Sequence, residues 1–412
     1  MSAGLEAGRA NVSRENGRNM VHTEAYLDNA ATARPYPQVI EAVAATMGEG
    51  FGNASAAHAR GRRAKALLEE SRATVAEALG VEPEELYFTS GGTESNNLAI
   101  IGACRSVRVS EGRNGIVVST VEHPSVTKTV RGLKREGWKV SYVPARDGDY
   151  DLAHLERALG PNTAIVTSMR VQNETGFILP TADIVAARDA LAPKAYVHCD
   201  GVQAFGKVRF LPRELGVDMA SISAHKIGGP QGIGALYVKA HVPRIFTTAF
   251  GGGQERGLRS GTEALPLIVG FAQAVRITMA RRERCEANAA ALKRRLLEGI
   301  VGLCPDVRVN SRDDGSPFVV SFSVPGMDNT AALQALSDAG VYVSKASACA
   351  TLFPDIPPEA WRAKHPMSLL QCGIPEPLVE STLRVSFSQE SALQDVERFL
   401  EVFGAFIRSA AS

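Results

Sequence analysis

The chain has 412 residues, 45% apolar and 22% charged, which is enough for two or three domains with large cores and is ordinary for a soluble globular protein. Its 45 basic residues nearly balance 44 acidic ones, which argues against direct nucleic-acid binding or an anionic membrane surface as the main partner. No apolar run reaches the roughly 18 residues of a membrane-spanning helix. Six cysteines, Cys104, Cys199, Cys285, Cys304, Cys349 and Cys372, are scattered with no CxxC pair and no metal-type spacing. They read as reduced thiols in a cytoplasmic protein rather than a disulfide framework.

Residues 1–24 are polar, hold both Arg and Glu and lack an apolar core, so a disordered leader is expected rather than a secretory signal; Met20 offers an internal start. From Tyr26 the chain passes through Leu27-Asp28-Asn29-Ala30-Ala31-Thr32 into a helix opened by Pro35 and Pro37 and closed near Gly48. A second helix is expected over 60–79, with Gly80 as its stop. Short buried strands are then expected at 86–89, 115–119, 140–143, 164–168, 196–199, 219–223 and 235–238, several separated by helical patterns such as 125–136 and 183–191. This alternation predicts an α/β domain around a mainly parallel sheet of seven strands. After about Ala264 the texture changes. Two long helices, 263–282 and 285–300, are expected before a strand at 318–324, a helix at 329–339, strands at 341–344 and 383–387, and an amphipathic helix over 390–408. The expected division is a large domain over 36–263 and a smaller α+β domain built from 25–35 together with 264–412.

Chemistry concentrates around Ser221-Ile-Ser-Ala-His-Lys-Ile-Gly-Gly-Pro-Gln-Gly232. A lysine at the end of a buried strand, beside a histidine and a glycine-rich turn, is poorly explained by packing. Partly desolvated there, the Lys226 amine can lose its proton and condense with an aldehyde as a Schiff base. The rest of the chain supplies the other groups a pyridoxal phosphate site needs. Ser90-Gly91-Gly92-Thr93-Glu94 sits between strand and helix, where free backbone N–H groups and the helix dipole suit a phosphate, although Thr93 can equally be an N-cap. Asp200, at the end of the strand that starts at Tyr196, faces the ligand crevice of such a sheet and can pair with a pyridinium nitrogen or cap the next helix. Gln203 can donate to the ring's phenolic oxygen. His123, after another strand, can stack on an aromatic cofactor and move a proton, or serve as a junction histidine. Asn173 can hydrogen-bond cofactor or substrate, or simply hold a turn.

Taken in order, LDNAAT, SGGTESNN, EHPSV, QNETG, HCDGVQ, SAHKIGGPQG, GGGQERGLRSGT and SACA make the chain resemble, from about Tyr26 to Phe387, the fold type I pyridoxal-phosphate enzymes of class V, specifically the NifS/IscS-like cysteine desulfurases. The resemblance implies that Lys226 carries the cofactor, Asp200 pairs with its ring nitrogen, Gln203 contacts its ring oxygen and His123 stacks on the ring. It places Gly92, Thr93, Ser223 and His225 around the phosphate. Thr262 would reach the phosphate of a neighbouring subunit, which implies a homodimer with shared sites. Asn173 and Arg384 match substrate-binding positions, and a guanidinium suits an α-carboxylate as a bidentate fork.

Cys349, in Ser344-Lys-Ala-Ser-Ala-Cys-Ala-Thr351, matches the family's mobile-loop cysteine. The resemblance then implies conversion of L-cysteine to L-alanine, with sulfur left on Cys349 as a persulfide for a protein acceptor such as an iron–sulfur assembly component. Another class V enzyme, a C–S lyase or aminotransferase, is the alternative, as is a catalytically weak sulfur-assembly scaffold. Three departures stand out. Lys345 interrupts a run of small residues and would lower the Cys349 pKa if the loop folds back. The stretch between Cys349 and Arg384 is longer than the familiar spacing and contains Cys372, a structural thiol or a second sulfur carrier. Ser388 replaces a usual glycine.

Overall fold

The computed structural model of the chain describes residues 24–242, 245–345 and 368–410; residues 1–23 of the expected leader, and Cys349, lie outside the described residues. In chain order the strands are β1 (Ala25–Tyr26), β2 (Leu86–Thr89), β3 (Gly115–Ser119), β4 (Lys139–Val143), β5 (Ala145–Arg146), β6 (Asp149–Tyr150), β7 (Thr163–Met169), β8 (Tyr196–Asp200), β9 (Met219–Ser223), β10 (Gly234–Val238), β11 (Arg308–Val309), β12 (Val319–Ser323), β13 (Val341–Tyr342) and β14 (Thr382–Ser386). The central sheet has seven strands in the order β2-β10-β9-β8-β7-β3-β4. Both of its faces are buried, as a mainly parallel sheet requires. Alternate residues serve opposite cores: Val117 and Val166 pack on one face with Val75, Ile222 and Phe271, whereas Ile116, Val118 and Ile165 pack on the other with Leu98 and Leu236. Helices α1 (Pro37–Gly48), α2 (Ala59–Leu79), α3 (Gly92–Glu111), α4 (Pro124–Arg135), α5 (Leu152–Ala158) and α6 (Thr181–Leu191) accompany this sheet, and Gly80 ends α2 in the left-handed conformation.

One expectation is corrected. After the short α7 (Pro212–Leu215), the two helices foreseen over 263–300 are a single 39-residue helix, α8 (Leu265–Leu303). No Gly or Pro lies between Phe271 and Glu298, and an i,i+4 ion pair from Arg282 to Glu286 (3.1 Å) braces the turn between the two expected helices. The helix serves two cores. Ile268, Phe271 and Val275 join the core beneath the central sheet, while Leu292, Leu296 and Ile300 join a second core with Phe322, Phe399 and Phe403. That second core also receives α9 (Asn329–Asp338) and the C-terminal helix Leu393–Ala410.

The second core lies against an antiparallel sheet, β11-β12-β14, beside the parallel pair β1–β13. Ala25 and Leu27 sit in this core with Val341 and Val385, and bridges Asp28–Ser386 and Ser344–Arg384 tie the pieces together. The N-terminal stretch therefore completes the part built by the C-terminal third. Among the described residues no helix is long and apolar enough to cross a membrane.

Candidate active site

The pairing of β10 decides which loops meet. It runs antiparallel to both β2 and β9, so those two strands run the same way as β8, β7 and β3. The loops after β2, β3, β7, β8 and β9 therefore gather at one edge of the sheet, where ligands of open α/β sheets bind. Gly234 sits between Thr89 and Ser223 at that edge. A Cβ there would stand 2.6 Å from Ile222 O and 2.7 Å from Gly91 Cα, so only glycine allows the Gly91–Gly92 turn to close against β9. A Cβ on Gly92 would stand 2.6 Å from Val202 Cγ2. The turn thus presents the start of α3, whose N-cap Gly91 offers no side-chain cap, towards Ser223. Ser223 Oγ is buried and without a hydrogen-bond partner. Uncapped helical N–H groups facing an orphaned hydroxyl are what a phosphate would satisfy. Thr93 is exposed, and its carbonyl accepts from Asn97 Nδ2 (2.9 Å).

Carbonyl- and amide-based contacts fix the centre. Lys226, in the short turn after β9, donates from Nζ to Ala30 O and Ala31 O, both at 2.6 Å. Gln203 Nε2 donates to the same Ala30 O (2.9 Å), and Gln203 Oε1 accepts from the buried Lys207 Nζ (2.8 Å). Asp200, at the end of β8, is buried; it accepts from Asn96 Nδ2 (2.7 Å) and from the backbone N–H of Val202 (3.0 Å). Asn96 also donates to Ser125 Oγ (2.9 Å), whose hydroxyl then points to His123 Nδ1 at 2.8 Å. The Ser125 backbone N–H donates to that same Nδ1 (3.1 Å), so the neutral ring carries its proton on Nε2. Burial holds the His123 pKa below its ordinary value against the attraction of Asp200, which keeps the ring neutral. His225 is pushed down to about 3 by burial and by the charges of Lys226 and Lys207; its Nδ1 pairs with Thr32 Oγ1 (3.1 Å).

Arg384, on β14, is buried: Nη1 donates to Asn173 O (3.1 Å) and Nη2 to Asp28 Oδ1 (2.7 Å). Its Nε has no partner. Asn173 and Arg384, singled out from sequence as substrate residues, are thus in contact. The 172–176 turn is held by Ser311 Oγ to Thr175 O (2.6 Å), Ser316 N to Gly176 O (2.8 Å), and Ser368 Oγ to Glu174 Oε2.

Thr262 is exposed, on a loop clamped to edge strand β2. Glu255 of that loop accepts from Arg72 Nη1 (2.7 Å), Arg72 Nη2 (2.8 Å) and Phe88 N (2.8 Å), and Arg259 Nε binds Glu94 (2.9 Å). Cys372 is fully buried, burial pushes its thiol pKa well up, and its carbonyl accepts from Asp147 N (2.8 Å). Lys345 Nζ donates to Thr330 Oγ1 (3.0 Å).

Sequence reasoning missed Asn96, Ser125, Asp28, Glu122 and Lys207. The first four lie within or beside motifs that had been singled out, where attention went to their neighbours; Lys207 carried no local signal. Glu122, behind His123, is pushed up to about 8 by burial while Oε1 accepts from Ser119 Oγ (2.5 Å) and Met169 N (2.7 Å). No cluster of metal-ligating side chains occurs among the described residues. The donor set fits pyridoxal phosphate: an amine, a buried carboxylate, a flanking imidazole and a phosphate cradle share one sheet edge.

Residues 25–399 match the profile of the family Aminotransferase class-V. The chain is 36% identical over 387 residues to a "NifS/IcsS protein homolog" of Lactobacillus delbrueckii subsp. bulgaricus, covering 92% of this chain and 96% of that one. It is also 36% identical over 389 residues to "Cysteine desulfurase IscS" of Anaeromyxobacter dehalogenans, covering 93% and 92%. A solved structure titled "NIFS-LIKE PROTEIN" superposes with a TM-score of 0.86 at 31% identity, over 94% of this chain and all of the other.

Proposed function

We infer that this chain, which belongs to the class-V aminotransferase family, is a cysteine desulfurase that converts L-cysteine to L-alanine with pyridoxal 5'-phosphate. The observation that carries the reading is the meeting of Lys226, Asp200, His123 and the Gly91–Gly92 turn at one sheet edge, with Arg384 fastened to the same N-terminal segment that holds Lys226.

When bound, the cofactor supplies an electron sink for charge developing at the substrate Cα, provided its ring nitrogen stays protonated. Asp200, oriented by Asn96 and Val202, would pair with that nitrogen. Gly92, Thr93, Ser223 and His225 would hold the phosphate, with the neutral His225 donating rather than adding charge. Gln203 presents its NH2 group to the site because Lys207 occupies its oxygen. His123, its Nδ1 engaged by Ser125, would cover the ring face and offer Nε2–H for proton movement. Arg384 and Asn173 would fix the substrate α-carboxylate, and the Lys226 amine would take the Cα proton. Cys349 would then attack the substrate sulfur, forming the S–S bond of a persulfide as the C–S bond breaks, and pass that sulfur to a protein acceptor.

Two further elements belong to the proposal. Thr262, exposed on its clamped loop, would complete the phosphate site of a second copy in a homodimer. The free, buried cysteines 104, 199, 285, 304 and 372 suit a cytoplasmic protein. The decisive experiment compares wild type with Cys349→Ala for alanine release and protein mass. Wild type should release alanine and gain one sulfur while the variant binds cofactor and does neither. Turnover by the variant, or pyruvate with ammonia as products, would overturn the reading.

A further inference from the structure

Lys207 is 3% exposed, a rare state for a lysine, and the steps above give it no part beyond its contact with Gln203. It lies in the turn after β8, and its Nζ donates to Gln203 Oε1 at 2.8 Å. Gln203 turns its other end to Ala30 O (2.9 Å), and that same carbonyl accepts from Lys226 Nζ (2.6 Å). Lys207, the Gln203 amide, the Ala30 carbonyl and Lys226 therefore form one hydrogen-bonded chain, and both lysines line one cavity with Arg34, Tyr36, Gln389 and Glu390.

We propose that Lys207 is a positioning residue for Lys226: its amine fixes the Gln203 amide with NH2 towards the site, and its positive charge drives the proton off the Lys226 nitrogen. The inference rests on Lys226 being the cofactor lysine.

The surroundings make the electrostatics one-sided. Facing Lys207 are Lys226 and His225 from the turn after β9 and Arg384 from β14, while its hydrogen-bond partner, Gln203 Oε1, is uncharged. Among the other groups nearby, Asp28 is bonded to Arg384, Glu390 and Arg34 stand at the cavity wall, and Tyr36 donates to Gln389 Oε1 (3.1 Å). Burial, then repulsion by Lys226 and Arg384, brings Lys207 down to about 7. Repulsion is mutual, so the two amines titrate as a coupled pair: while Lys207 keeps its charge, below about pH 7, it disfavours a proton on Lys226 by the same amount. A second cation is a known way to lower a lysine's proton affinity so that the amine is a nucleophile near neutral pH. The amide arrangement matters too. Protonated Lys207 can only donate, so a reversed Gln203 would set its NH2 against Nζ, donor against donor.

The test uses the full-length holoenzyme and Lys207→Met, which keeps an unbranched side chain while removing charge and donor. The readout is the pH at which the cofactor's visible absorption changes, which reports the proton on the Lys226 nitrogen. Lys207→Met should raise that midpoint by about one pH unit, and Lys207→Arg, with a permanent charge, should leave it at or below the wild-type value. A purely structural role for Lys207 would lower the melting temperature and leave the midpoint alone, and that result overturns the proposal. A second measurement needs no variant: carbon NMR of wild-type lysine ε-carbons should show one lysine titrating near neutrality, and an ordinary titration for every lysine would also overturn it. Absence of any lysine–cofactor absorption would instead refute the cofactor reading, leaving the NMR titration to decide on Lys207.

Discussion

Gly234→Ala isolates the geometry of the phosphate cradle without touching any group that would contact the cofactor. The new methyl would meet two backbone positions, Ile222 O at 2.6 Å and Gly91 Cα at 2.7 Å, and neither can rotate away as a side chain could. Ordinary contact between such atoms begins near 3.5 Å, so the Gly91–Gly92 turn must retreat by roughly 0.8 Å or β10 must part from its neighbours. Overpacking of this kind costs about 1–3 kcal/mol of stability. It also draws the start of α3 away from Ser223. Charge-assisted hydrogen bonds are worth about 1.5–3 kcal/mol each, so stretching one or two of them should weaken cofactor binding by about tenfold. The assay is titration of the cofactor-free protein with pyridoxal phosphate, read by visible absorption, alongside urea unfolding. Gly132→Ala is the matched control: Gly132 lies inside α4 with nothing within 4 Å of an added Cβ, so it should gain about 0.5–1 kcal/mol and bind cofactor as wild type does. Gly234→Ala with unchanged affinity and stability would refute the reasoning that this contact shapes the cradle.

Glu122→Gln tests the buried carboxyl behind His123. Burial raises its pKa to about 8, so the folded protein keeps a proton that the unfolded chain releases near pH 4.3; the associated stability is full below that lower value and is lost as pH rises through about 8. Gln imitates the protonated form, so the variant's stability relative to wild type should grow between pH 5 and pH 8 in urea unfolding; parallel pH profiles would contradict this. Arg384→Lys removes the fork that spans Asp28 Oδ1 (2.7 Å) and Asn173 O (3.1 Å). It should raise KM for L-cysteine by about tenfold or more with a smaller effect on kcat, and an unchanged KM would remove Arg384 from carboxylate binding. Cys372→Ala should retain alanine production and persulfide formation, because the thiol is fully buried with its pKa pushed up; loss of sulfur transfer with cofactor still bound would show that it does carry sulfur.

The central sheet was legible because its strands are short apolar runs bounded by glycine, charge or turn residues: 86–89, 115–119 and 219–223 begin and end where the sequence pattern put them. The long α8 was not. Its face changes partner midway, from the core containing Phe271 to the core containing Leu296, and such a change looks like two helices when only local periodicity is read. The site divides the same way. Lys226, Asp200 and His123 stand at strand ends, which topology alone sends to one edge. Lys207 faces the charge of Lys226, 19 positions on, and Asp28 bonds Arg384, 356 positions on, juxtapositions that no local pattern encodes. Asn96 was hidden for a related reason: on α3 it resembles a helical surface residue until the helix is packed against the end of β8.

The segment Asp28–Ala33 shows why an apparently plain turn carries so much of the site. Its carbonyls at Ala30 and Ala31 hold Lys226, its Asp28 carboxylate holds Arg384, and Ala33 N donates to His225 O (2.8 Å). On the other side, Asn29 Nδ2 donates to Ser386 O (2.9 Å), and Ala30 N donates to Ser386 Oγ (2.8 Å). Six consecutive residues therefore fasten the end of β9 in the large sheet to β14 in the small one. The strap links the Lys226 amine to the Arg384 guanidinium through hydrogen bonds at Ala30, Ala31 and Asp28. On the proposed mechanism the strap would hold the carboxylate site at Arg384 and the Lys226 amine in one frame, which the proton abstraction needs.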